Sequence, residues 1–258
     1  MITLTTDFGL KDPYVAEMKG AIYTINPQAK IVDITHEVDK FNVRMGAFVL
    51  ASAAPYFPEG TVHVAVVDPG VGTARRAIVV QTKSSCFVGP DNGVLMLAAK
   101  KQGIQHIYEL ANPKFRLPQV SSTFHGRDIF APAAAHLEMG VQPAEFGPEI
   151  SEAVTQSFGQ VQHQNGCLVG KVLHIDGFGN VITNIHPDEL PPISSLKVKL
   201  ADNHLEAPVA KAYGETEPQQ PIALVGSHGF LEVALNQGSA KERYGVKIGD
   251  RVEVATTS

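Results

Sequence analysis

The feature that most constrains this chain is a change of rhythm. Over roughly its first 150 residues, strand-forming runs alternate with segments of helical period; beyond that the helical signal fades and short strands follow one another. "ITLTTD" reads as a buried strand, and 12–26 then places Val15, Met18, Ile22 and Ile25 on one helical stripe with Pro27 just beyond. "KIVDIT" is a second strand, and "VRMGAFVLASAAPYF" a helix that Pro55 closes. "TVHVAVVD", "RAIVVQT" and "HIYEL" are further strands, with a helix over 94–101 ended by Gly103. "RDIFAPAAAHLEMG" is a helix with Pro132 near its first turns and Gly140 as its stop. This order predicts an α/β domain with a largely parallel central sheet over 1–150.

The Gln-rich stretch "TQSFGQVQHQNG" reads as a boundary, placing a linker at 151–165. After it, "CLVGKVLHID", "GNVITNI", "LKVKL", "PIALVG", "FLEVAL" and "DRVEVA" are short strands between Gly, Pro and Asn turns. They predict a small all-β barrel domain over 166–258.

With 258 residues, 44% hydrophobic and 18% charged, the chain is too apolar for disorder. A formal net charge of −5 without a basic run disfavours nucleic acid as a partner. No apolar run is long enough to span a bilayer, and the first residues lack a signal-peptide pattern. Cys86 and Cys167, one in each half and without metal-ligand spacing, suggest buried thiols in a reducing compartment. These features predict a soluble cytoplasmic protein.

In open α/β sheets, ligands gather at the carboxyl ends of strands. Asp7 ends the first strand, Thr35 and His36 the second, and Asp68 the third. Any one of these could be a cap or an Asx turn; three at one edge point to a site. "DPGVGTARR" superficially resembles a phosphate cradle, but it lacks the Walker A spacing and runs into a strand, leaving no helix N-terminus for an anion. Asp68 and Arg75 could equally form a structural ion pair across that turn. In "FHGRDIFAP", Asp128 suits the positive end of a helix and reads as structural, and His125 taken alone reads the same way. Asp176, Phe178 and Asn180 crowd one turn, and Ser227 and His228 another, which alone is weak evidence of a ligand site. "DFG" at 7–9 has no kinase catalytic loop to accompany it. The acids and histidines suffice in number for a metal but show no ligand spacing, so no metal or cofactor is expected.

Taken together, "TTDFGLKDPYVAEMKG", "DPGVGTARR", "FHGRDIFAP" and "IDGFGNVITNI" resemble the S-adenosylmethionine hydroxide adenosyltransferases, relatives of the fluorinase and chlorinase enzymes. The resemblance runs through essentially the whole chain. It implies a homotrimer with active sites at subunit interfaces, catalysing attack on C5′ of S-adenosylmethionine with release of methionine. Residue by residue, it implies that Asp7 holds the ribose hydroxyls, that Asp12 and Asp176 face the methionine ammonium, and that Ser227 meets its carboxylate. Phe41 stands where the halogenases carry tryptophan, and His228 where they carry arginine. Phe178 and Asn180 would contact adenosine, with the backbone from Leu235 to Gln237 at the adenine edge. Asp68, Arg75 and His125 match the combination of the hydroxide-using branch, implying hydrolysis to adenosine and methionine. A carboxylate suits that branch: it would repel a halide, whereas water needs an acceptor to orient it and take its proton. Which of the three accepts the proton is open at this level. A metal-dependent hydrolase, a halogenase-like enzyme and an S-adenosylmethionine sensor with negligible turnover remain as alternatives.

Overall fold

The structure is a computed structural model that describes residues 1–190 and 194–255. The chain divides into two compact units, Met1–Gln156 and a second beginning at Ser157. The segment expected as a linker is thus shared. The N–H of Val154 donates to Asp91 and the Gln156 amide to the carbonyl of Asn92, while Gln162–Gln164 forms a short strand in the second unit. The end of the second expected domain, 256–258, lies outside the described residues.

In the first unit, β1 (Ile2–Thr6), β2 (Ile31–Thr35), β3 (Thr61–Val66), β4 (Ala77–Thr82), β5 (Ser85–Pro90) and β6 (Ile104–Glu109) form one sheet in the order β2-β1-β3-β5-β4-β6. Pairing is parallel from β2 through β5, and β4 is antiparallel to both β5 and β6. The reversal comes from the tight turn at Lys83 and Ser84, which makes β4 and β5 a hairpin. The sheet alternates its burial to two faces. Val62, Val64 and Val66 of β3 join one cluster with Met18 and Ile22 of α1 (Tyr14–Ile25), whereas Ala65 and Val67 join another with Leu50 of α2 (Val43–Ala53). This is an α/β sandwich with helices on both faces. Asn42 caps α2, its side chain accepting the N–H of Met45 at 3.0 Å. The helix α3 (Met96–Gln102) ends at Gly103. The last helical segment begins as a π-helical turn over Gly126–Phe130 and continues as α4 (Ala131–Glu138), with Pro132 in its first turn.

The second unit holds β7 (Gln162–Gln164), β8 (Cys167–Ile175), β9 (Val181–Thr183), β10 (Ser195–Leu200), β11 (Asn203–Pro208), β12 (Pro221–Val225), β13 (Leu231–Leu235) and β14 (Arg251–Ala255). Their order is β11-β10-β14-β8-β9-β13-β12, with β7 on β8. The two ends of the path meet: Val209 bridges Ala223, and the N–H of Ala210 donates to the Ala223 carbonyl at 3.0 Å. The sheet is therefore a nearly closed barrel, filled by inward residues such as Leu196, Val198, Leu200, Val233 and Val254. A single helical turn, α5 (Ala240–Tyr244), follows β13. Among the described residues, no helix is long and apolar enough to cross a membrane.

Candidate active site

The parallel register of β1 and β3 sets Thr6 beside Val66, so Asp7 and Asp68 leave the sheet at the same edge. They open onto a cavity of about 580 Å³ in the first unit. Asp7, Asp12, Phe41, Asp68 and His125 all line it.

Asp7 is 6% exposed and held on both sides. Its carboxylate Oδ2 accepts the Phe41 N–H at 2.8 Å, and its carbonyl accepts from Lys40 Nζ. Phe41 makes that approach with a positive φ of 64°. One carboxylate oxygen is left for a ligand. Thr35 and His36, noted at the end of β2, do not line the cavity: His36 is buried, with Nδ1 2.9 Å from Thr6 Oγ1 and Nε2 3.1 Å from Asp33.

Asp68 and Arg75 are both largely buried. Arg75 Nε donates to the two Asp68 oxygens at 3.0 and 3.1 Å, and Nη2 adds a further bond to Oδ2. Nη2 also lies 3.0 Å from His125 Nδ1, and the guanidinium stacks over Phe130 at 5.2 Å. Arg75 itself does not line the cavity. It stands behind Asp68 and His125 and orients both. A guanidinium has no acceptor, so His125 Nδ1 must accept, and the neutral ring carries its proton on Nε2. Burial, and then the charge of Arg75, lower the His125 pKa below its ordinary value. Of the two Asp68 oxygens, Oδ1 accepts a single bond from Arg75, at 3.0 Å.

Two loops touch beside this cluster. Gly72, with φ +76°, passes the Ser122 carbonyl so closely that a Cβ there would lie 2.1 Å from its oxygen. Asp128 secures the second loop from beneath. Fully buried, it accepts the Ser121 N–H at 2.8 Å and Arg127 Nε at 2.6 Å, in keeping with a structural acid.

The other expected residues lie in the second unit, around a cavity of about 650 Å³ lined by Asp176, Phe178, Asn180, Leu235 and Gln237. The Asp176 carboxylate is largely engaged by its own turn, accepting from the N–H groups of Phe178 and Asn180 and from Asn180 Nδ2, each at 2.9 Å. Phe178 is 81% exposed, a bare ring beside that turn. Ser227 and His228 lie in the turn between β12 and β13 and are not part of this cavity's lining. Both His228 nitrogens are engaged within the chain: Nε2 stands 3.1 Å from buried Glu232, and Nδ1 accepts the Phe230 N–H at 3.2 Å. Tyr213, which sequence patterns did not single out, also lines the cavity. Its hydroxyl donates to Glu232 at 2.6 Å, and burial together with that carboxylate raises its pKa. No group of three His, Cys, Asp or Glu side chains among the described residues is arranged to hold a metal ion.

Residues 2–147 match the model of the SAM hydroxide adenosyltransferase N-terminal domain, and residues 170–253 that of its C-terminal domain. The chain belongs to this family. Among relatives of the SAM hydroxide adenosyltransferase family, an (R)-S-adenosyl-L-methionine hydrolase of Salinispora tropica is 41% identical over 98% of this chain and 97% of its own length. A fluorinase of Actinopolyspora mzabensis is more distant, at 28% identity over 98% of this chain and 96% of its own. The crystal structure of an uncharacterized conserved protein from Thermotoga maritima superposes with a TM-score of 0.94, at 42% identity, covering 99% of this chain and all of that one. The two halves of the residue set thus sit one in each family domain.

Proposed function

We propose that this chain hydrolyses S-adenosylmethionine to adenosine and methionine, by attack of water on C5′. The observation that carries the reading is the pair of Asp68 and His125, bonded to Arg75 behind them, at the wall of a cavity that also presents Asp7 and Asp12. An oxygen lone pair of water forms the C5′–O bond while the C5′–S bond breaks and its electrons pass to sulfur. The sulfonium leaves as a neutral thioether, so no acid is needed at the leaving group. Asp68 accepts the water proton, His125 Nε2–H donates to the water oxygen, and Arg75 holds the two in register. No metal or cofactor enters these steps.

In this reading Asp7 binds the ribose hydroxyls, a task suited to an oxygen that can accept two hydrogen bonds. Asp12 and Asp176 face the methionine ammonium, with Phe41 against the substrate. Phe178, Asn180, Leu235 and Gln237 hold adenosine, and Ser227 receives the methionine carboxylate. His228, with both nitrogens committed, supports the Ser227 turn instead of gripping that carboxylate. The sulfonium is stereogenic, and the name of the Salinispora relative supports the (R) epimer as the preferred substrate. The family resemblance supports a homotrimer with active sites at subunit interfaces, which a sedimentation mass of three chains would bear out. Two free cysteines and a net charge of −5 support a cytoplasmic protein without nucleic-acid or membrane partners.

The test is incubation with each sulfur epimer, with and without chelator, following nucleoside and amino acid by mass spectrometry. Equimolar adenosine and methionine, faster from the (R) epimer and insensitive to chelator, is the expected result. Binding without turnover would replace hydrolysis with a sensor.

A further inference from the structure

Three aromatic rings at the wall of the first unit's cavity have no part in the chemistry so far. Phe8, Tyr14 and Phe124 pack edge to face, with centroids 5.8 Å (Phe8 to Tyr14), 5.7 Å (Phe8 to Phe124) and 5.2 Å (Tyr14 to Phe124). The cluster is seated firmly: a Cβ at Gly126 would lie 3.2 Å from Phe124 and 3.4 Å from Phe8. Its members are interleaved with the polar residues of the site. Phe8 follows Asp7, Tyr14 comes two residues after Asp12, and Phe124 precedes His125.

The charge around the rings is biased. Asp7, Asp12, Glu17 and Asp68 line the cavity against Lys40 and Arg127. Both cations are engaged, Lys40 by the Asp7 carbonyl and Arg127 by Glu17 at 2.7 Å and Asp128 at 2.6 Å. Arg127 also lies 5.0 Å over the Phe124 ring. That ring therefore already has its cation, whereas Tyr14, 44% exposed, presents open ring surface.

We propose that Tyr14 and Phe8, braced by Phe124, form a cation-binding box for the substrate's sulfonium and set the preference for that cation over a neutral thioether. Aromatic faces attract a positive centre and its polarised CH groups without the desolvation cost of burying a carboxylate. The inference rests on the proposed hydrolysis, and its chemistry has a consequence. Positive charge leaves sulfur as the C5′–S bond breaks, so the box holds the ground state more strongly than the transition state. Its loss therefore raises KM, while kcat stays level or rises.

The experiment compares Tyr14→Leu and Tyr14→Phe with the unaltered chain, measuring kcat and KM for S-adenosylmethionine and the inhibition constant of S-adenosylhomocysteine, whose sulfur is neutral. Tyr14→Leu is expected to raise KM about tenfold, to leave the loss out of kcat, and to move the S-adenosylhomocysteine constant less than about twofold. Tyr14→Phe, which keeps the ring, restores the preference. Equal loss for both ligands, a loss confined to kcat, or a Phe variant that behaves like Leu would overturn the box. A chain that shows no turnover contradicts the proposed hydrolysis alone. Calorimetric affinities for the same two ligands then give the same ratio, and a ratio unmoved by Tyr14→Leu, or no binding of either ligand, overturns the box.

Discussion

Arg75 Nη2 lies 3.0 Å from His125 Nδ1 while its Nε donates to Asp68. One guanidinium thereby fixes the rotamer of an acid and the tautomer of a histidine. In the proposed mechanism that relationship leaves the water proton to Asp68, because a nitrogen that accepts from Arg75 is not free to take one.

The first expectation concerns pH. A proton on His125 Nδ1 would face the Arg75 donors, so the active form is neutral, and activity rises with pH through the His125 pKa. Burial and Arg75 hold that pKa below the ordinary histidine value of 6.5. The acid limb of kcat/KM therefore has its midpoint below that value, and Arg75→Gln shifts it upward while lowering kcat. A limb that does not move in this variant would contradict the coupling.

Removing the acceptor is the sharper loss. Asp68→Asn keeps the shape and accepts from Arg75 through its carbonyl, but it does not take a proton. Its kcat is expected to fall roughly a hundred- to ten-thousandfold, with adenosine affinity measured by calorimetry unchanged because Asp7 holds the ribose. His125→Ala loses less, since it removes a donor and not the base.

Gly72 is where the two site loops meet. Gly72→Ala forces a Cβ toward the Ser122 carbonyl from a backbone at φ +76°, so the loops must separate. A tenfold or greater fall in kcat is expected, with a melting temperature lowered by only a few degrees. Unaltered kinetics would show that the close approach is not needed.

Stability has its own acid limb, remote from the site. His63 on β3 is fully buried, its Nδ1 2.8 Å from Thr3 Oγ1 and its ring stacked on Phe87 at 4.9 Å, and burial lowers its pKa to about 4. The unfolded chain binds a proton near pH 6.5 that the folded chain refuses until about 4. Stability is therefore present above 6.5 and is lost as pH falls through that window. Between pH 7 and 5 the loss is about 2 kcal/mol, measurable as a falling urea midpoint. In His63→Gln the midpoint loses this slope.

How much of this was legible in the sequence depended on whether local signals agreed with the fold. The stripe of Val15, Met18 and Ile22 marked α1 because it is the face α1 buries. β5 was missed because Gly89 and Pro90 carry turn chemistry into a strand that sits between β3 and β4. β11 and α5 were missed in polar stretches whose register is set by barrel closure, a nonlocal constraint. At the site, Asp7 and Asp68 were readable as strand ends, since parallel strands deliver their termini to one edge. The structure brings Asp68, Arg75 and His125 together, with Arg75 and His125 in contact across fifty residues of chain, a closeness that no local pattern carries. Tyr14, Tyr213 and buried Glu232 carried no local signal: each matters through a partner that only folding supplies. The commitment of both His228 nitrogens was equally invisible, since it depends on Glu232 across the β12–β13 turn.

The central claim is that water, held by Asp68 and His125, attacks C5′. The most direct measurement is hydrolysis in water enriched in heavy oxygen, followed by mass analysis of both products. One heavy oxygen on the 5′ carbon of adenosine, with methionine unlabelled, is the expected result. Unlabelled adenosine, or heavy oxygen recovered on the amino-acid product instead, would contradict it.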